Sequence, residues 1–276
     1  MEILKAALSG IIQGLTEFLP VSSSGHLALF FNIFDFNIDG GFLLFALILH
    51  LGTLAAVFIA YAKDIKELFI AFLAIIVRVF TGRFKYKSLG VYERFVIFIF
   101  IATVPLAIGA FIDSRIAALA NNSKLIGGLL LINAVILFAS DKIKAKHITE
   151  KTASPKNALL VGLAQLIAVV PGISRSGATI TSGLLNGFTR TFAVKFSLIM
   201  SIPAIIGSSV FHFIDAARSD TQITKEMLST SVIGFLFAFI FGFAAIIFIR
   251  IIAANRKFWV FSIWCAIVGL LALIFG

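Results

Sequence analysis

Long apolar runs, broken by short polar segments, make up most of this chain. A helix that crosses a bilayer needs about 20 mostly apolar residues, and this length is met at residues 42–62, 95–112, 124–140, 191–213, 229–250 and 258–275. A shorter apolar run at 68–77 cannot reach across, so it predicts a helix that lies along the membrane interface. The pattern predicts six transmembrane helices joined by short connections.

Two further apolar stretches, 3–34 and 157–188, are each interrupted near the middle by a proline and a Ser-Gly cluster. Each half has about 10–14 residues, which is too few to cross a bilayer alone. This interruption is typical of a re-entrant helix–loop–helix hairpin, which enters the membrane and leaves on the same side. If either stretch crossed the membrane once, a basic segment would lie on the outer face of the membrane, whereas basic segments stay on the cytoplasmic face. We therefore predict two re-entrant hairpins.

The charged residues are unevenly distributed between the apolar runs. Basic residues gather in the segments 63–94, 141–157 and 250–257, whereas the connections at 35–40, 113–123 and 214–228 are near neutral or mildly acidic. Basic segments of membrane proteins stay on the cytoplasmic side. Six spans satisfy this rule without conflict, and both chain ends then lie outside.

The composition of the chain indicates a membrane protein and argues against a soluble domain or a nucleic-acid-binding protein. Charged residues make up 13% of the chain and apolar residues 60%, whereas soluble domains carry about 25% charged residues. The net charge of +10 does not indicate a nucleic-acid partner, because the basic residues lie between apolar runs. A single cysteine, Cys265, excludes an intramolecular disulfide. We predict one all-α integral membrane domain over residues 1–276.

The two interrupted stretches share residues at a constant offset of 152 positions. The pairs are Gly10 and Gly162, Gln13 and Gln165, Ser22 and Ser174, Ser24 and Ser176, and Gly25 and Gly177. An odd number of predicted spans separates the copies, so the second copy enters from the opposite face. This pattern predicts an inverted-topology repeat with halves at about 1–140 and 157–276. The hairpin tips then meet near the middle of the membrane.

Each interruption is a polar loop that leads into a new apolar half-helix. The N–H groups at such a helix start favour an anion, above all a phosphate. Arg175, in the second loop, is costly to bury, and its planar fork suits phosphate oxygens. Two alternatives stay open. The serines can merely satisfy backbone groups, or Arg175 can form a salt bridge with Glu17 that only locks the hairpins together.

The first loop adds an acid and a histidine. Gln13 and Glu17 lie four residues apart on one helix face, where their oxygens can hold a divalent cation or Glu17 can orient a histidine. His26 follows Ser23 by three residues, so its imidazole can take the hydroxyl proton. His50 and His212 lie in predicted spans, and we interpret them as buried polar residues with backbone or water partners.

These motifs resemble those of the membrane undecaprenyl-diphosphate phosphatases linked to bacitracin resistance. Their (Glu/Gln)-xxx-Glu signature matches Gln13 to Glu17, followed by residues 18–26, and their Pro-Gly-x-Ser-Arg-Ser-xx-Thr signature matches Pro171 to Thr179. The resemblance covers essentially the whole chain and departs at Ser24, where many members have threonine. It implies a bacterial inner-membrane enzyme that removes the terminal phosphate of undecaprenyl diphosphate. It also implies Mg²⁺ or Ca²⁺ and a site open to the periplasmic face.

On this hypothesis Arg175 grips the terminal phosphate with Ser174, Ser176 and Thr179, and Ser23 attacks with His26 as base. Attack by water or by His26 stays open, as does the choice among neighbouring serines. The other predicted substrate-binding residues are Gln13, Ser22, Ser24, Gly25, Gly172 and Gly177. The expected partners are a polyprenyl diphosphate and membrane lipid, and a homodimer is left open. The main alternative is a transporter of polyprenyl phosphates or phospholipids.

Overall fold

The computed structural model describes residues 2–34, 42–110, 116, 119–144, 146–218 and 225–276. The helices before the second polar loop are α1 (Glu2–Phe18), α2 (Ser23–Phe34), α3 (Phe42–Ala60), α4 (Ala62–Phe80), α5 (Val91–Thr103), α6 (Leu106–Ala110), α7 (Ser123–Lys142) and α8 (Pro155–Ile167). Those after it are α9 (Arg175–Leu185), α10 (Arg190–Arg218), α11 (Lys225–Ala254) and α12 (Trp259–Phe275). The prediction of an all-α chain is confirmed for the described residues.

Four described segments are long and apolar enough to cross a membrane, namely Val91–Gly109, Ser123–Lys142, Arg190–Val210 and Met227–Ala254. They coincide with the predicted spans at 95–112, 124–140, 191–213 and 229–250. The predicted span at 258–275 forms α12, which is apolar and has 17 residues, about the lower limit for a crossing. The chain is thus a multi-pass membrane protein with four such segments, or five if α3 and α4 count as one bent span.

Helix α3 covers the predicted span at 42–62 and ends in a sharp bend. Leu44–Ala60 and Ala62–Phe80 are inclined by 89° to each other. Helix α4 therefore runs nearly perpendicular to α3, as expected for an interfacial helix, although it is longer than the predicted 68–77. Its first turns contain charged residues, which interrupt the apolar run without interrupting the helix.

Helices α1 and α8, the first arms of the two interrupted stretches, pack against long helices of the bundle. Helix α1 lies along α11, and α8 lies along α5. Glycine permits both approaches, since a Cβ on Gly10 would lie 2.5 Å from the Gly234 carbonyl oxygen, and a Cβ on Gly162 would lie 2.5 Å from the Ala102 carbonyl oxygen. Small residues allow this backbone contact between membrane helices. The two glycines therefore help to fix where the polar loops lie.

Aromatic side chains fill the core between α5, the end of α9 and α10. The rings of Phe95, Phe188, Phe192 and Phe196 are buried. The Phe188 and Phe192 centroids lie 4.5 Å apart, and those of Phe95 and Phe192 lie 6.0 Å apart. Such close aromatic packing gives the second interrupted stretch a rigid support.

Several expectations concern residues outside the described ranges. The near-neutral connection at 35–40 lies there entirely, and those at 113–123 and 214–228 lie there in part. The side chain of His212 also lies outside the described part of the chain, so its predicted role stays a prediction.

Candidate active site

The two polar loops meet, and hydrogen bonds join them directly. The Gly172 N–H donates to Ser22 Oγ at 3.1 Å, and Ser176 Oγ donates to the Leu19 carbonyl at 3.1 Å. The contact is close enough that a Cβ on Gly25 would lie 3.1 Å from the Gly172 Cα. The predicted meeting of the loops is therefore confirmed.

A serine caps the helix that follows each loop. Ser22 Oγ accepts from the Gly25 N–H at 3.3 Å before α2, and Ser174 Oγ accepts from the Gly177 N–H at 3.1 Å before α9. Other first-turn N–H groups of α2 and α9 have no acceptor within their own helix. The positive ends of two helices thus lie at the contact between the loops, and this arrangement favours a bound anion.

Ser22 adopts a left-handed backbone conformation, with φ of 74°. For a residue other than glycine this costs about 1–2 kcal/mol, and it persists only where surrounding contacts fix it. Here the hydroxyl binds Gly25 and Gly172, and the carbonyl bonds to the His26 ring. Because of this turn, the Ser23 side chain faces helix α1, where its hydroxyl bonds to Glu17.

Glu17 is the centre of the polar cluster. Its Oε2 accepts from Ser23 Oγ at 2.7 Å and from Gln13 Nε2 at 2.9 Å, and its Oε1 accepts from Arg175 Nη2 of the other loop. The Glu17 side chain is 5% exposed and that of Arg175 is 23% exposed. The salt bridge considered from the sequence is therefore formed, with the acid buried and the guanidinium partly accessible.

His50 of α3 also lies in this cluster. Its Nε2 is 3.9 Å from Glu17 Oε2, and its Nδ1 bonds to the Ala46 carbonyl at 2.8 Å. The expected backbone partner is confirmed, but the side chain is 33% exposed and lines a cavity instead of being buried. The residues around His50 in the sequence do not indicate that it belongs to the site, because its polar neighbour, Glu17, lies on a different helix.

The structure does not bring His26 and Ser23 together. His26 Nδ1 bonds to the Ser22 carbonyl at 2.9 Å, and its Nε2 accepts from the Trp264 indole N–H at 2.9 Å. The His26 and Trp264 rings are nearly parallel, with planes inclined by 9°. Since Ser23 is bonded to Glu17 instead, the role of His26 as base stays a prediction that needs the imidazole to turn.

Asn133 of α7 is a residue that the sequence reasoning missed. It is fully buried, its Nδ2 donates to the Pro20 carbonyl at 2.9 Å, and its Oδ1 accepts from the Ser174 N–H at 3.1 Å. One side chain therefore holds both loops. A polar residue in the middle of an apolar span is the signal that points to such a role.

The polar cluster forms one end of a cavity of about 620 Å³. Six predicted site residues line it, namely Glu17, Ser22, Ser23, Ser24, Ser174 and Arg175. The remaining wall is mostly apolar and includes Phe100, Val104, Val169, Pro203 and Ile205. A charged end and an apolar end in one cavity suit an amphiphilic ligand.

The other predicted site residues lie behind the cavity wall, namely Gln13, Gly25, His26, Gly172, Ser176, Gly177 and Thr179. Thr179 Oγ1 donates to the Arg175 carbonyl at 2.8 Å and lies 2.7 Å from Ser197 Oγ. Ser176 Oγ lies 3.0 Å from Ser174 Oγ and donates to Leu19. Both hydroxyls, expected on the phosphate, are turned into the protein, where they support the loop.

A cation site of protein ligands alone does not fit this cluster, since the described residues contain no group of three histidine, cysteine, aspartate or glutamate side chains. Gln13 Oε1, however, is buried without a hydrogen-bond partner beside Glu17. One carboxylate and one amide oxygen fit a hard cation that is held mainly by phosphate oxygens and water.

Comparison with known proteins places the chain in one family. The family described as bacitracin resistance protein BacA matches residues 6–271. The chain is 37% identical to the undecaprenyl-diphosphatase of Methanosphaera stadtmanae, with 99% of this chain and 98% of that protein covered. It is 36% identical to the undecaprenyl-diphosphatase of Alkaliphilus metalliredigens, with 100% and 99% covered. The chain therefore belongs to the bacitracin resistance protein BacA family.

Proposed function

We propose that this protein hydrolyses undecaprenyl diphosphate to undecaprenyl phosphate and inorganic phosphate. Relatives that align over the whole chain carry the name of this activity. The product is the lipid carrier that peptidoglycan synthesis reuses, and its regeneration fits the bacitracin resistance in the family description. Its substrate is accordingly a polyprenyl diphosphate lipid in the membrane.

The observation that carries this proposal is the cavity with two unlike ends. Arg175, Glu17 and Ser23 line one end, and apolar side chains line the rest. A lipid diphosphate fits both ends at once, whereas a soluble phosphate ester leaves the apolar wall without a partner. The transporter alternative has no comparable support, since neither family nor relatives carry such a name.

Arg175 is the proposed first contact for the phosphate. Its guanidinium turns from Glu17 to the terminal phosphate, where two oxygens can accept its paired N–H groups. The N-termini of α2 and α9 add backbone donors on the same side. Once Arg175 turns, the Glu17 carboxylate is free to take a proton from its other partner, Ser23.

Ser23 is the proposed nucleophile, because it bonds to Glu17 while Ser22 caps α2. Its Oγ attacks the terminal phosphorus as its proton passes to Glu17. A bond forms between Ser23 Oγ and phosphorus, and the bond from phosphorus to the bridging oxygen breaks. Undecaprenyl phosphate leaves, and water then cleaves the phosphoserine. Direct attack by water is the alternative that a Ser23→Ala variant tests.

His26 has a positioning role in this mechanism. Its ring joins the Ser22 carbonyl to Trp264 of α12. It thereby holds the strained turn that presents Ser23 to Glu17. A base role requires the ring to release both partners.

A divalent cation, Mg²⁺ or Ca²⁺, is the cofactor in this proposal. Glu17 Oε1, once released by Arg175, would hold it from the protein side while Oε2 keeps its bond to Ser23, and Gln13 Oε1 would be the second protein oxygen. The cation supplies positive charge that neutralises phosphate oxygens during bond cleavage. Arg175 alone cannot balance a diphosphate, and a bound cation would add positive charge to that of the helix N-termini.

We also propose six spans, formed by α3, α5 with α6, α7, α10, α11 and α12, and two re-entrant hairpins that form an inverted repeat. The support is a reciprocal pair of contacts. A Cβ on Gly25 would touch Gly172, and a Cβ on Gly177 would touch Pro20. Positions 20 and 172, like 25 and 177, differ by the repeat offset of 152. A two-fold axis between two copies produces such reciprocity.

The proposed location is a bacterial plasma membrane, with the basic segments in the cytoplasm and the cavity open to the periplasmic side. Cysteine labelling in a Cys265→Ser background tests this orientation. An impermeant maleimide added to intact cells should label Asn121→Cys and leave Lys151→Cys unlabelled. Labelling of Lys151→Cys alone would invert the proposed topology.

The hydrolase proposal is tested with purified protein in detergent and undecaprenyl diphosphate. We expect release of inorganic phosphate with Mg²⁺ present, its loss with excess EDTA, and its recovery when Mg²⁺ is restored. Substrate binding without phosphate release would instead support a carrier. Release that EDTA does not affect would remove the cation from the mechanism while leaving the hydrolase in place.

A further inference from the structure

A second, smaller pocket lies away from the polar loops, where α3 ends, α10 begins and α11 ends. Its volume is about 80 Å³, and it shares no lining residue with the large cavity. The residues that line it are Tyr61, Thr191, Val194, Lys195, Arg250 and Ala253. Two cationic residues and two hydroxyl-bearing residues therefore surround one small space.

Arg250 makes this pocket suitable for an anion. Its Nε donates to the Tyr61 hydroxyl oxygen at 3.2 Å, and its guanidinium carbon lies 4.5 Å from the centre of the Tyr61 ring. No aspartate or glutamate among the described residues forms a salt bridge with Arg250. A cation within a membrane-capable segment such as Met227–Ala254 is costly without a partner. The charge of Arg250 is therefore available to a ligand.

Lys195, the second cation of the pocket, already has acidic partners. Its Nζ lies 2.6 Å from Asp64 Oδ1 and 3.7 Å from Glu150 Oε1. The two carboxylates hold the ammonium in place and repel a ligand that carries more than one negative charge. One negative charge is therefore enough to balance Arg250. A phosphodiester carries one, whereas a phosphate monoester carries about 1.5 to 2 at neutral pH.

The surroundings of the pocket indicate that the phosphodiester belongs to a lipid. Phe58, three residues before Tyr61, is 41% exposed, and Ile247, three residues before Arg250, is 46% exposed. Residues three positions apart share one face of a helix, so both apolar side chains lie beside the pocket, toward the middle of their helices. A hydrocarbon chain that leaves the pocket in this direction has apolar side chains to contact.

The size of the pocket matches a phosphate group and excludes the rest of a lipid. A cavity needs at least about 15 Å³ to hold one water molecule. A pocket of about 80 Å³ therefore admits a group of a few non-hydrogen atoms. The hydrocarbon chains stay outside, in the bilayer.

We infer that this pocket binds the phosphodiester of an anionic phospholipid from the leaflet on the side of the basic segments. Two of those segments, 63–94 and 250–257, begin at or beside the pocket. Basic pockets between membrane helices on the cytoplasmic side bind anionic headgroups. Tyr61 lies at the bend between α3 and α4, so the bound lipid stabilises this bend. The inference does not depend on the proposed hydrolysis.

The test is thermal unfolding of the full chain in a neutral detergent, with phosphatidylglycerol or phosphatidylcholine added. Phosphatidylcholine carries the same phosphodiester, but its ammonium cancels the charge that Arg250 and the basic segments attract. Phosphatidylglycerol should raise the unfolding midpoint of the unsubstituted protein by at least about 3 °C relative to phosphatidylcholine, because a ligand that binds the folded state stabilises it.

Two variants of the pocket should lose this difference between the lipids. Arg250→Gln removes the unpaired cation. Thr191→Glu adds a carboxylate to the pocket, and because Thr191 is exposed, this variant should fold even if Arg250→Gln does not. Arg83→Gln is the matched control, since it also lowers the net charge by one but changes an exposed residue outside the pocket. It should keep the full difference.

Inorganic phosphate distinguishes a lipid from a free anion. It has no hydrocarbon chains, so at the concentration of the lipid it should leave the unfolding midpoint unchanged. Stabilisation by inorganic phosphate that Arg250→Gln abolishes would replace the lipid with a free anion and overturn the inference. An equal effect of phosphatidylglycerol on all variants would also overturn it, because net charge alone would then explain the effect. The absence of any difference between the lipids in the unsubstituted protein would overturn it as well.

Discussion

At the scale of single residues, the ion pair between Glu17 and Arg175 links stability to chemistry. Glu17 is buried, and its carboxylate accepts hydrogen bonds from Arg175, Ser23 and Gln13. A buried charge that loses its partner is strongly destabilising, although the intact pair itself contributes little net stability. In the proposed mechanism, the substrate attracts the same arginine away from Glu17. The pair would then be a resting state that phosphate replaces, because phosphate offers Arg175 another negative partner.

We expect Arg175→Ala to abolish measurable phosphate release and to lower the free energy of unfolding in detergent by about 3 kcal/mol, because the buried Glu17 loses its ion-pair partner. Adding Glu17→Gln removes the orphaned charge, so the double variant should recover part of the stability and none of the activity. Phosphate release and chemical unfolding measure the two effects. Arg83→Ala, which changes an exposed arginine, is the control.

Two outcomes would contradict the proposed role of the Glu17–Arg175 pair. Full stability in Arg175→Ala would mean that Glu17 has no need of the guanidinium. Turnover by the double variant would mean that neither charge takes part in the reaction.

The chemistry of Glu17 and Arg175 is predictable from sequence, because a charge within an apolar run needs a partner or a ligand. The hydrogen-bond partners of His26 and His50 are not predictable from the sequence. His26 is bonded to Trp264, which is 238 positions away, and His50 faces Glu17 from a different helix. Local spacing placed His26 near Ser23, but the backbone turn at Ser22 directs the imidazole elsewhere. Such directions depend on packing between helices.

At the scale of helices, α7 is the element that keeps the two loops in register. Asn133 donates to Pro20 in one loop and accepts from Ser174 in the other. Its Nδ2 also lies 3.3 Å from Cys265 Sγ of α12. Because the loops come from different parts of the chain, a rigid third element is needed to set their distance.

Asn133→Ala should slow turnover by at least about tenfold, since it loosens the alignment of Ser23 with Arg175. It should also destabilise the protein by about 2 kcal/mol, because a buried carbonyl and a buried N–H lose their partner. Phosphate release and thermal unfolding report the two effects. Asn255→Ala is the control, since that exposed side chain follows the end of α11 and bonds to the Ile251 carbonyl in the last turn of that helix. Unchanged kcat and KM in folded Asn133→Ala would show that α7 does not align the loops.

Helix positions follow closely from apolar run lengths, as Ser123–Lys142 and the predicted span at 124–140 illustrate. The 89° bend after α3 does not follow from run length, because apolar content gives no direction for the next helix. The packing of one helix against another also cannot be predicted from run length, although Gly10 and Gly162 can be recognised in the sequence as a repeated pair. Their function becomes clear only when another helix backbone lies against each of them.

At the scale of the whole molecule, the two copies of the proposed repeat carry different functional side chains at matching positions. The position that matches Glu17 in the second copy is Val169, and the position that matches Ser23 is Arg175. In the proposed mechanism, one copy supplies the acid and the nucleophile, while the other supplies the guanidinium that binds phosphate. This division explains why two similar loops make a single site.

The decisive measurement for the proposed hydrolase and its nucleophile is phosphate release from undecaprenyl diphosphate by purified protein and by Ser23→Ala. Ser201→Ala serves as control, because its hydroxyl bonds to Leu198 of the same helix and does not line the cavity. We expect one phosphate released per lipid by the unsubstituted protein and by the control, with none from folded Ser23→Ala. Release by Ser23→Ala at the unsubstituted rate would contradict the assignment of Ser23, and absence of release from every form would contradict the hydrolase itself.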